Sequence, residues 1–187
     1  VKKIYKILIF FAILAIVTIL ARFLPHPPNF TPVGSIALLS GMVFGGWLGL
    51  FLAPAVMLVS DIFIGFYDLG VLISVYLGFI LYFLVGKTFR GVGSTRFVFA
   101  PIAGAGAFFL LTNFAVWIFT PMYPNTLLGL LTSYYMALPF FKSMLVADVL
   151  YFASFSAVYA MVFQFNWRVF LSKYQVPLIS KKNSEVK

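Results

Sequence analysis

Apolar residues run almost unbroken over 4–21, 33–44, 47–66, 71–85, 97–119 and 127–165, and polar residues collect in the short stretches between those runs. Runs of this length and purity predict helices that cross a bilayer. The first span runs from about Ile4 to Ala21. Pro25, Pro27, Pro28 and Pro32 then stop helix continuation, because proline lacks the amide proton and restricts the residue before it. The 25–32 stretch is therefore expected to be an extended outer loop. The second span, Val33 to Phe44, is short, since twelve residues rise only about 18 Å as a helix. Gly45-Gly46 predicts a tight turn and Trp47 to Phe66 a third span carrying Pro54. After the Tyr67-Asp68-Leu69-Gly70 turn, a fourth span covers Val71 to about Val85. Gly91-Val-Gly-Ser-Thr95 marks a loop, and a fifth span, Phe97 to Phe119, is closed by Pro121 and Pro124. Leu127 to Leu138 is too short to span and is cut by Pro139, which predicts an interfacial or re-entrant helix on the outer side. The sixth span is Phe140 to Phe165. The expected fold is an all-α integral membrane protein of six transmembrane helices, with a short second helix and that extra outer helix. Residues 1–167 form one domain, and 168–187 a polar, basic cytoplasmic tail.

Composition agrees. Hydrophobic residues make up 63% of the 187 and charged residues 9%, against roughly 25% charged in soluble domains. The net charge of +9 is a matter of placement. Lys2, Lys3 and Lys6 precede the first span, Lys87, Arg90 and Arg96 share one loop, and Arg168, Lys173, Lys181, Lys182 and Lys187 follow the last span. These are 11 of the 13 basic residues, all on one side of a chain that crosses six times. The positive-inside rule puts both termini and the 87–96 loop in the cytoplasm. The basic excess thus reads as topology in a lipid bilayer, with no nucleic-acid partner. The basic-then-apolar N-terminus also has the look of a secretory signal. Its apolar run is long and Ile19 is large at the position a signal peptidase reads, so an uncleaved span is expected.

Small residues recur four apart at Gly41, Gly45 and Gly49, at Ala100 and Gly104, and at Ala153 and Ala157. In lipid this spacing lets helix backbones approach. It serves packing within the chain or a surface for a partner membrane protein.

Candidate chemistry is sparse. There is no cysteine and a single histidine, His26, which excludes thiolate sites, a His-based zinc site and a Ser-His-Asp triad. No phosphate loop or metal motif is present, so neither an enzyme nor a bound cofactor or metal is expected. Three charged residues, Asp61, Lys142 and Asp148, lie inside or at the rims of apolar runs. A charge at a helix centre costs about 2.5–3.5 kcal/mol on insertion scales, so such residues face a bundle interior or a wet cavity. Asp61 has two open readings, an ion pair with Arg22 or a ligand contact. Lys142 and Asp148, six residues apart, point about 120° away from each other on a helix, so Asp148 needs a cavity, another helix, a substrate or a proton. Asn113 and Trp117 are four apart and share a face. They suit a flat polar ligand, or an interhelical hydrogen bond beside an interfacial tryptophan. Asn29 and Phe30, between prolines, form either a rigid cap on an outer pocket or a plain turn.

Pro32-Val-Gly-Ser-Ile-Ala-Leu-Leu-Ser-Gly-Met-Val-Phe-Gly-Gly-Trp-Leu-Gly, leading into Met57-Leu-Val-Ser-Asp-Ile-Phe, resembles the second and third helices of the substrate-binding S components of energy-coupling-factor (ECF) vitamin transporters. Leu138-Pro139-Phe140-Phe141-Lys142 is similar to their Pro-led sixth helix. Over residues 20–160 the chain also resembles an uncharacterised bacterial membrane family known only as transport proteins, through Asn29-Phe30-Thr-Pro32, Ser60-Asp61, Thr112-Asn113-Phe114 and Pro139-Phe140-Phe141. The resemblance implies a six-helix protein of the bacterial inner membrane with an outward-facing pocket for a small molecule. Its partner would be a transmembrane coupling protein with ATPases. The alternative is a non-transporting assembly or scaffold protein that uses its small-residue helix faces.

Overall fold

The computed structural model describes residues 2–163, and those residues hold six helices and no strand. They are α1 (Lys2–Phe23), α2 (Val33–Val43), α3 (Trp47–Ile64), α4 (Leu69–Thr88), α5 (Arg96–Phe119) and α6 (Leu127–Phe163). All but α2 are long and apolar enough to cross a membrane. The basic tail 168–187 and Trp167 lie outside the described residues. A compact unit extends to Ser156. Beyond it, the rings of Tyr159 and Phe163 stand 4.9 Å apart on the last turns of α6.

The short helix α2 is the centre of the compact unit. Every residue from Val33 to Gly41 is buried, as a helix apolar on all sides must be. Its eleven residues rise only about 16 Å, roughly half a hydrocarbon core. The helix is packed among α1, α3, α4 and α5 and is shorter than the five helices long enough to cross a membrane. Close approach to α4 depends on two glycines. A β-carbon at Gly41 would strike the carbonyl of Phe83, and one at Gly86 would strike that of Leu38. The carbonyl of Gly41, at the end of α2, accepts a hydrogen bond from Arg90 Nη2 at 3.1 Å, which satisfies a helix terminus with a cation.

The expected re-entrant helix over 127–138 is absent, and this corrects the sequence reading. Leu127 to Phe163 is one helix with Pro139 inside it. Thr126 caps its start, with Oγ1 accepting from the amide of Gly129 at 3.1 Å. Gly129, Ser133 and Ala137 are buried at four-residue spacing, and Met144, Ala147 and Asp148 are buried beyond the proline. Tyr134 OH donates to the Leu110 carbonyl at 2.9 Å and Ser133 Oγ to that of Asn113 at 3.4 Å. The first turns of α6 thus lie along α5, not flat on a membrane surface. Pro139 is exposed, and packing on both sides of it holds the helix together although one backbone bond is missing.

Among the small-residue pairs, Gly41, Gly49, Ala100 and Gly104 are buried within the bundle, while Ala153 and Ala157 are exposed.

Candidate functional site

Two loops, 24–32 and 65–68, contribute to one site at one end of the unit. The first holds a tight turn. Phe30 N donates to the Pro27 carbonyl at 3.0 Å, and Asn29 takes a φ of 61°. Proline followed by a residue of positive φ is the pattern of a type II turn, and asparagine tolerates it better than most residues. The second loop ends on Asp68, whose Oδ1 accepts from the amide of Val71 at 3.0 Å and caps α4.

Below these loops lies a cavity of about 520 Å³, lined by residues of α1, α3, α4, α5, α6 and both loops. Its walls grade from polar to apolar. Arg22, His26, Asn29, Thr31 and Tyr67 line the loop end, and Thr112 and Asn113 sit further down α5. Phe79, Phe108, Phe109, Phe141 and Met144 line the deeper part. From Val71 to Phe79 along α4 the wall descends about 12 Å. The Phe79 and Phe108 rings meet at 5.0 Å and those of Phe109 and Phe141 at 4.9 Å, so paired aromatic rings form part of the floor and one side. Volume and lining both fit a small-molecule pocket, mostly apolar with a few convergent polar groups.

The Arg22 guanidinium is held from behind. Nη2 stands 2.9 Å from Asp61 Oδ1, and Nη1 donates to Ser60 Oγ and, at 3.3 Å, to the Met57 carbonyl. The second Asp61 oxygen accepts from Tyr76 OH at 3.1 Å. Asp61 is 1% exposed and does not line the cavity, whereas Arg22 does. Partial burial, followed by the Asp61 charge, pushes the Tyr67 phenol up to about 12, with Arg22 pulling the other way. Tyr67 therefore keeps its proton at neutral pH.

Of the residues singled out from the sequence, Asn29 and Asn113 line the cavity and Asp61 supports its wall through Arg22. Asn113 Nδ2 donates to the Phe109 carbonyl at 2.8 Å, and no hydrogen bond to its amide oxygen is present among the described residues. Four others fall elsewhere. Phe30 packs its ring on Tyr151 at 5.8 Å. Trp117 donates from Nε1 to the Pro124 carbonyl at 2.9 Å, tying the end of α5 to the loop before α6. Lys142 is exposed on α6. Asp148 is buried against α2 and α4, where its Oδ2 accepts from Tyr82 OH and its backbone carbonyl accepts from Ser35 Oγ at 3.1 Å. A β-carbon at Gly34 would overlap both that carboxyl and the Tyr82 ring. Asp148 thus joins three helices in the core.

A family model described as a family of unknown function, DUF6580, matches residues 2–171. The chain belongs to the DUF6580 family. No curated protein and no solved structure matches it. What this DUF6580 protein offers as a site therefore rests on the cavity. Sequence reasoning passed over Arg22 as a wall residue, along with Thr31, Tyr67 and the phenylalanines. The usable signal was position. Arg22 ends an apolar span next to the proline loop, and Phe108-Phe109 lies one turn before Thr112-Asn113.

Proposed function

We propose that this protein is a membrane substrate-binding or uptake protein for a small molecule with an apolar, ring-bearing body. The observation that carries the reading is the 520 Å³ cavity, with polar groups at its loop end and paired aromatic rings below. In this reading the protein sits in the bacterial inner membrane with both termini cytoplasmic, and the cavity faces outward beneath the proline loop. That orientation is supported by the basic residues of the 87–96 loop, which lie at the opposite end of α4 from the cavity mouth. The likeness of the Pro32–Gly49 and Met57–Phe63 segments to ECF S components adds a transmembrane coupling protein with ATPases as partner. Burial of Gly41, Gly49, Ala100 and Gly104 inside the bundle takes those faces from a scaffold role and leaves it only the exposed Ala153 and Ala157.

An experimental structure of the protein extracted with its native lipids tests the proposal. Density for a non-protein molecule between Asn113 and the Phe79–Phe108 pair is the expected result. Side chains collapsed into the space, with no room for a ligand, would contradict it.

A further inference from the structure

The Arg22–Asp61 pair is oriented. Its cation is in the cavity wall, and its carboxylate is buried behind, divided between Arg22 and Tyr76. A ligand therefore meets the positive end of the pair, although the pair as a whole is neutral. Three other polar groups at that end can donate, the Tyr67 hydroxyl, the Thr31 hydroxyl and the Asn29 amide, while the His26 ring gives its Nδ1 proton to the Pro27 carbonyl. Among the described residues no aspartate or glutamate lines the cavity. A cationic or amine head would find no counter-charge there, while an anionic head would find a guanidinium with further N–H donors. Below that end, the Phe79–Phe108 pair and Met144 offer only apolar and aromatic surface.

Resting on the binding reading above, we propose that the cavity takes a small amphipathic acid: one anionic head, such as a carboxylate, held at Arg22, on a ring-sized apolar body packed against Phe79 and Phe108. The head stays at the loop end because the guanidinium and most of the groups that can replace its hydration are there. The body is drawn down because the deeper walls offer water few hydrogen bonds. The same chemistry would serve a water-borne aryl acid or a membrane-borne fatty acid.

Binding of 2-naphthoate and its neutral counterpart 2-naphthamide, measured by calorimetry on the full chain in phosphatidylcholine nanodiscs, tests the proposal. In the unmodified protein the acid binds at least tenfold tighter than the amide. In the Arg22→Gln/Asp61→Asn double variant, which strands no charge, that ratio falls to about one while amide binding persists. Val75→Phe, which fills the cavity from α4, abolishes both. Palmitate that displaces naphthoate identifies a fatty acid as the source, and palmitate that does not identifies a water-borne acid. Equal binding of acid and amide in the unmodified protein, with both lost in Val75→Phe, overturns the acid proposal and leaves the cavity reading standing. Binding of either probe that Val75→Phe does not reduce, or no binding of either, overturns both.

Discussion

Arg22 Nη2 stands 2.9 Å from Asp61 Oδ1, with the arginine in the cavity wall and the aspartate behind it. The acid that drew attention in the sequence thus acts through a cation from another helix. Neutralising either partner alone strands the other in a poorly hydrated site, and removing one member of a buried pair is costly. Asp61→Asn and Arg22→Gln should each lower the melting temperature, and the double variant should recover much of the loss. Coupling in the four-member cycle should be on the order of 1 kcal/mol or more. Additive losses would show that the two do not stabilise each other.

The buried contact of Asp148 with Tyr82 makes a different prediction. Tyr82→Phe removes the hydroxyl that donates to that buried carboxyl and should cost about 1–3 kcal/mol, the usual penalty when a buried polar group loses a partner. Asp148→Asn keeps an acceptor for the tyrosine and should cost less. Because Asp148 does not line the cavity, Asp148→Asn should leave ligand retention unchanged. Thermal unfolding in detergent, paired with a ligand-retention assay, separates the two effects.

Gly34 tests the packing of that same centre. An alanine there meets the Asp148 carboxyl and the Tyr82 ring, while nothing lies within 4 Å of a β-carbon at Gly106. Gly34→Ala should destabilise by about 1–3 kcal/mol through overpacking, and Gly106→Ala should be close to neutral. Equal melting temperatures for the two variants would mean that α2 sits less tightly on α4 and α6 than described.

Much of the fold was legible because long apolar runs have few alternatives to helix. Long apolar runs bounded by prolines and glycines become helices, and the first five predicted spans begin close to the starts of α1 to α5, whereas the predicted sixth span begins at Phe140 and α6 at Leu127. The exception is instructive. Pro139 reads as a helix end because one residue's sterics are local. What overrides it is a stripe of small residues, Gly129, Ser133 and Ala137, that seats the first turns of α6 on α5. The site was partly legible for the same kind of reason. Asp61 and Asn113 stand out as costly groups in apolar runs, and both belong to or support the cavity. Trp117 shares a helical face with Asn113 but lies one turn nearer the loop, where Pro124 offers an acceptor. Asp148 looked functional because a sequence does not reveal that Tyr82, 66 residues away, donates to it.

Orientation can be read with introduced cysteines, because the chain has none of its own. A cysteine at Asn29 or Asn125 should react with an impermeant thiol reagent added outside intact cells, and one at Lys87 should be protected. Labelling at Lys87 but not at Asn29 would invert the assigned topology.

The central claim is that the cavity beneath the proline loop holds a small molecule. Native mass spectrometry of the protein purified from its own host, beside Val75→Phe and Asn113→Leu, tests it most directly. A retained mass is expected on the unmodified protein, absent from Val75→Phe and weakened at least tenfold, about 1.4 kcal/mol, by Asn113→Leu. A mass retained equally by all three, each with an unchanged melting temperature, would contradict the account.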